Sequence, residues 1–159
     1  MAQRTYRTDQ IVVHWNSERC AHSGFCLRNL PEVFDAEARP WVTVDAASAD
    51  AIADAVERCP SGALSYERLD GEPDETPEEP VTIVPWPHGP LFVRGTVRIL
   101  DRHGEQFPTG PRVALCRCGQ SRNHPFCDAS HAEVGFTSYP RVISDQRKDA
   151  ESPADLEPR

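Results

Sequence analysis

The segment 116–131, CRCGQSRNHPFCDASH, spaces three cysteines and a histidine as C-x-C-x8-C-x3-H. Thiolates are soft donors, and imidazole joins them in zinc sites as in iron-sulfur centres. Cys116, Cys118, Cys127 and His131 therefore read as one metal centre, and donor chemistry alone does not choose between zinc and iron. The four-residue offset from Cys127 to His131 is about one helical turn, and Asp128 is suited to cap a short helix carrying the histidine. A second constellation lies upstream: Cys20 and Cys26 flank the five residues AHSGF, and thirty-two residues later comes Cys59-Pro60. Free cysteine also packs as a small apolar side chain. In a reducing compartment, however, six cysteines in 159 residues point to ligands or redox groups rather than disulfides.

The elements that must position these groups form an α+β chain. Ile11–Trp15 and Pro40–Val44 read as strands by their β-branched and aromatic content, with the Cys20–Cys26 loop between them. A helix from about Ala46 to Arg58, capped by Asp45 or Ser48, places Ile52, Ala55, Val56 and Cys59 on one face, so that Cys59 points inward. Pro60 stops it, and Ser61-Gly62 turns the chain into a strand over 63–67. The second half reads as β: Leu91 to Leu100 alternates, with Val81–Val84 and Arg112–Leu115 as partners and Asp101–Gly104 as a turn. His14, His88, His103 and His124 have no ligand spacing, and the three tryptophans read as packing residues.

The formal net charge of −8 reflects 25 acidic against 17 basic residues and excludes the basic footprint of a nucleic-acid binder. Six of those carboxylates and three prolines fall in Asp70–Pro80, which predicts an extended, solvated spacer, with an acidic docking patch as the lesser reading. No run is long and apolar enough for a membrane span, and MAQRTYRTDQ lacks a signal-peptide core, so a soluble cytoplasmic protein is expected. No nucleophile–base pair, phosphate-binding glycine loop or H-E-x-x-H motif is present, which argues against an enzyme with catalytic residues of its own.

The second half resembles the mitoNEET-like CDGSH iron-sulfur family. The family's C-x-C, following serine and P-x-C-D-G-S-H fall on Cys116, Cys118, Ser121, Pro125, Cys127, Asp128, Ser130 and His131. Ala129 stands where the family has glycine; if that position needs φ > 0, alanine strains the turn by about 1 kcal/mol. The resemblance implies a 2Fe-2S cluster on Cys116, Cys118, Cys127 and His131. The first half resembles the divergent mono-cluster bacterial ferredoxins, in which a cysteine loop and a remote Cys-Pro hold one cluster. Here Cys20, Cys26 and Cys59 match, and Ser23 occupies the middle loop position. Three cysteines imply a 3Fe-4S cluster, or a 4Fe-4S form whose fourth iron is bound by Ser23, His22 or water.

The chain is thus expected to comprise a ferredoxin-like α+β domain (1–69), an acidic linker (70–80), a small β-rich CDGSH-type domain (81–136) and a largely disordered tail (137–159). Two clusters imply a one-electron carrier between a reductase and a redox partner such as an oxygenase. The alternatives are a cluster-transfer or pH-sensing protein using a labile His131 ligand, and a zinc-stabilised interaction module. The CDGSH resemblance also admits a homodimer.

Overall fold

In β2 (Ile11–Asn16) alternate residues Ile11, Val13 and Trp15 turn to one side. Leu64 and Tyr66 of the antiparallel β3 (Leu64–Arg68) stand opposite Trp15 and Val13. The computed structural model describes residues 3–141. A polar, largely exposed strand, β1 (Gln3–Arg7), pairs with the outer edge of β2 and gives the order β1-β2-β3. Against this sheet lies α2 (Ala49–Glu57), whose Ile52 and Val56 are fully buried. Ser48 caps α2, its hydroxyl accepting the Ala51 N–H, and a 3-10 turn (Val44–Ala46) takes up Asp45 and Ala46, the other expected cap and the expected first residue of the helix. A short helix, α1 (Phe25–Asn29), follows the Cys20 loop.

Pro40–Val44 is not the expected strand. It makes one bridge, Phe34 to Val42, with Asp35 N–H on Trp41 O and Thr43 N–H on Val33 O. Pro40 has no amide hydrogen to extend that ladder, and Trp41 packs instead on Trp15 and Phe34.

The second sheet is β4 (Thr82–Pro85), β5 (Leu91–Arg94) and β6 (Arg112–Leu115), antiparallel in that order. The alternation from 91 to 100 does not continue as one strand, because Gly95 at φ +115° ends β5 where the chain passes close to the backbone of Glu78 and Val81. Val97 and Ile99 still pack inward, on Val93, Val113 and Phe126. The turn at Asp101–Gly104 is present, the Asp101 carboxylate accepting the N–H groups of His103 and Glu105. A last helical turn, α3 (Ser130–Glu133), closes the unit.

The two units meet through one face of the second sheet. Cross-strand partners Phe92 and Ala114, and beside them Arg94 and Arg112, share that face by the two-residue period. Phe92 and Ala114 form a buried apolar cluster with Cys127 and with Ala21 of the first unit. The arginines reach the C-terminal end of α2: Arg94 donates to Glu57 O (2.8 Å), and Arg112 to Val56 O (2.7 Å), Cys59 O and Leu64 O. The acidic connecting segment, expected as a plain spacer, is exposed along most of its length but anchored at each arginine. Glu75 meets Arg112 with both oxygens (2.6 and 2.7 Å), and Glu78 meets Arg94 (3.4 Å). At the other end of the chain, His88 N–H donates to Ser138 O and Ser138 N–H donates to the His88 imidazole Nδ1, so residues near 138 are held where a loose tail was expected to begin. The rest of that expected tail lies outside the described residues.

Gly62, at φ +66°, packs so tightly on the Arg112 carbonyl that a Cβ would overlap it. Gly71, at φ +91°, has nothing within 4 Å of where a Cβ would stand. Gly62→Ala is therefore expected to lower the unfolding free energy by about 3 kcal/mol, from strain plus overlap, and Gly71→Ala by about 1 kcal/mol, from strain alone. Denaturant titration of both variants checks this; equal losses would mean that the close approach carries no weight.

Candidate metal centres

In the second unit, the β6 backbone delivers Cys116, and two links hold the returning segment beside it: Cys116 N–H to Pro125 O and Cys127 N–H to Ala114 O (2.9 and 2.8 Å). Cys116 and Cys118 place their sulfurs 3.7 Å apart, and Cys127 Sγ lies 3.4 Å from His131 Nδ1. The donors thus form two pairs. Among the described residues no three histidine, cysteine or acidic side chains converge as a site for a single ion. Cys127 also feels the charges of Cys116 and Cys118, and two such neighbouring pairs would suit a binuclear centre.

The sulfurs are met by backbone donors. Gln120 N–H points at Cys118 Sγ and Ala129 N–H at Cys127 Sγ, both at 3.4 Å. Burial raises the Cys127 thiol to about 11, the Ala129 N–H opposing. At Cys116 burial also raises the thiol, but the N–H groups of Ser121 and Gly119 and the neighbouring Cys118 outweigh it, and the net shift is downward. Burial lowers His131 against the pull of the Asp128 carboxylate, which favours the neutral, metal-binding imidazole.

Asp128 shapes this loop. Burial would raise its carboxyl, yet bonds from the Ser130 hydroxyl and the N–H groups of Arg122 and Ser130 hold it at about 2. Expected as the N-cap, it sits one residue before the actual one, since α3 begins at Ser130 with Ala129 as the cap. Cys127 meets His131 through this turn and not along a shared helix. Ser121 is buried and donates to Phe126 O at 2.7 Å, fixing the stretch before Cys127.

In the first unit Cys59 is buried at the end of α2, and Cys20 and Cys26 are half-buried against the same core. The loop between them turns through left-handed His22 (φ +51°) and Gly24 (φ +73°), the latter capping α1. The His22 side chain is exposed and Ser23 is half-buried. Burial raises the Cys20 thiol against the His22 N–H, with the charge of Cys59 adding to it. Cys26 is pushed to about 11 by burial and by the charges of Cys59 and Cys20. Three thiols that hinder one another's ionisation become ligands together only against a multivalent cation, so the donor set fits an iron cluster. Ser61 Oγ lies 3.6 Å from Cys59 Sγ, a further donor within reach.

Three residues around these centres have no signal in the sequence. Arg117, inside the C-x-C, donates to Trp86 O, Gly89 O and Ser138 Oγ and tethers the ligand loop to the turn before β5. Arg112 and Glu75 form a buried pair at Cys59. An arginine opening a strand and a glutamate in an acidic run both read as solvated surface.

Comparison with known proteins gives two family matches. The family described as a divergent 4Fe-4S mono-cluster matches residues 6–69, and the iron-binding zinc finger of CDGSH type matches residues 88–132. The protein YjdI of Escherichia coli strain K12, described only as uncharacterised, is 35% identical over 63 residues, which are 40% of this chain and 83% of YjdI. Its counterpart in Escherichia coli O157:H7 matches to the same extent.

Ala129 adopts φ +73°, the left-handed region that an alanine side chain resists. The strain that the glycine-to-alanine departure made conditional is therefore present. Ala129→Gly is expected to raise the unfolding free energy by about 1 kcal/mol. Denaturant titration measures it, and an unchanged or lowered stability would contradict the strain.

Proposed function

The chain belongs to the divergent 4Fe-4S mono-cluster family and carries a CDGSH-type iron-sulfur unit behind it; from that premise we propose that it is a two-cluster, one-electron carrier. One observation carries the reading. Ala21, next in sequence to Cys20, is buried in the same apolar cluster as Cys127, so the two ligand loops pack on each other. Such packing suits exchange of electrons between two centres of one chain. Each centre would change charge by one while its cage stays fixed.

Cys116 with Cys118, and Cys127 with His131, would hold the two irons of a 2Fe-2S cluster. Cys20, Cys26 and Cys59 would hold the other. Three cysteines suit 3Fe-4S most simply, while the description of the matched family favours 4Fe-4S, whose fourth iron would take Ser23, His22 or water. A neutral imidazole in place of a thiolate makes the second centre less negative and raises its potential, so the chain would hold two centres of different poise. The partners would be a reductase and an acceptor such as an oxygenase, with no nucleic acid, membrane or substrate chemistry of its own. A cytoplasmic location suits six cysteines kept as thiols. Among the described residues no helix is long and apolar enough to cross a membrane. The homodimer implied by the CDGSH resemblance remains part of the proposal.

Anaerobic purification with iron, sulfide and metal analysis and electron paramagnetic resonance tests this. The expected result is a brown protein with two distinct signals and two one-electron waves, and His131→Cys should move only the 2Fe-2S wave to lower potential. About one iron or fewer per chain, or zinc in a colourless protein, overturns it.

The half-buried His131, lowered by burial, supports a second use of the same centre as a pH-sensitive or transferable cluster. Protonation would release the ligand, so the bands of this centre should bleach below about pH 6 and His131→Cys should abolish the effect. An identical bleaching profile in that variant removes this second use.

A further inference from the structure

A helix ends with carbonyls that its own amides cannot reach and with a partial negative charge. At the end of α2 this matters doubly, because the next residues carry Cys59. Within the first unit, Cys59 N–H bonds to Val56 O and Gly62 N–H to Cys59 O. Arg58 N–H also bonds to Val56 O, and further donors come from the second unit. Arg112 Nη1 bonds to both Val56 O and Cys59 O, and Nη2 reaches Leu64 O across the turn at 3.1 Å. Its side chain is 1% exposed, and Glu75, which grips Nε and Nη2, is 12% exposed. In so dry a setting the charges of this pair are weakly screened.

We propose that Arg112 is a positioning residue for the first iron-sulfur centre: the second unit fixes the Cys59 peptide and tunes the charge beside it through this guanidinium, with Glu75 of the connecting segment as the counter-charge. The proposal rests on the reading of Cys59 as an iron ligand. A cluster gains one negative charge on reduction, and its potential responds to hydrogen bonds and charges at its ligands. A guanidinium on the Cys59 carbonyl favours the reduced form, and the Glu75 carboxylate opposes it. The poise of the first centre thus depends on the docking of the second unit. By reciprocity, an electron added to the first centre draws Arg112 in and tightens the docking.

Two substitutions of opposite charge effect separate this from mere structural support. In full-length protein reduced stepwise under anaerobic conditions, Glu75→Gln leaves Arg112 uncompensated and is expected to shift the first centre's wave upward. Arg112→Gln removes the cation and is expected to shift the same wave downward. Arg112→Lys keeps the charge and should stay near the unmodified position. Electron paramagnetic resonance at each potential tells which centre is being reduced, and the 2Fe-2S wave should move least in all three. Shifts of one sign in both charge variants, equal movement of the two waves, or no movement overturn the proposal. If Arg112→Gln fails to fold, Glu75→Gln against Arg112→Lys decides: an upward shift in the first with none in the second supports it, and any other pattern overturns it. Absence of iron and sulfide from the first unit of the unmodified protein would sink the functional reading itself, and this proposal with it, before any variant is compared.

Discussion

The end of α2 is the constraint around which the chain is organised. Its terminal carbonyls need donors, its dipole favours cations, and the candidate ligand Cys59 follows two residues after its last turn. Arg94 and Arg112 answer from adjacent strands of a different sheet, at matched register. Burying two guanidinium groups would be costly without carboxylates. The connecting segment supplies them as Glu75 and Glu78. Its acidity is therefore part of the junction and not only a solubilising feature.

The same logic governs the sulfurs. A buried thiolate needs either a cation or directed N–H groups, and both loops offer the second: His22 at Cys20, Gln120 at Cys118, Ala129 at Cys127. Turning those amides inward requires left-handed backbone, which explains Gly24 and Gly119 and the less comfortable His22 and Ala129. Local strain and sulfur solvation are thus two sides of one geometry, set by loops too short to do otherwise.

How far the sequence could be read follows from this. The candidate ligand sets stood out because cysteine spacing is chemically specific and because C-x-C-x8-C-x3-H is rare by chance. The core strand at Ile11, the helix over Ile52 and Val56 and the strand Arg112–Leu115 were legible from periodicity. Pro40–Val44 was misread because composition favoured a strand while Pro40 denied it a ladder. The alternation beyond Arg94 was real burial, on Val97 and Ile99, but Gly95 redirected the chain under it. β1 is polar and exposed, so only its pairing with β2 reveals it. Arg112 and Glu75 were invisible for a deeper reason: their burial is produced jointly by two units, and no periodicity within either one encodes it.

The near-contact of Gly62 with the Arg112 carbonyl bears on how such a fusion could arise and be rearranged. A free-standing version of the first unit leaves more of its last helical carbonyls to water and would meet a side chain at the glycine with backbone strain alone. Once the second unit is seated there, main chain meets main chain, and that freedom is gone. The two halves have ceased to be interchangeable modules: grafting either onto a different companion would have to recreate the pocket for a guanidinium and the notch for a peptide oxygen at the same time.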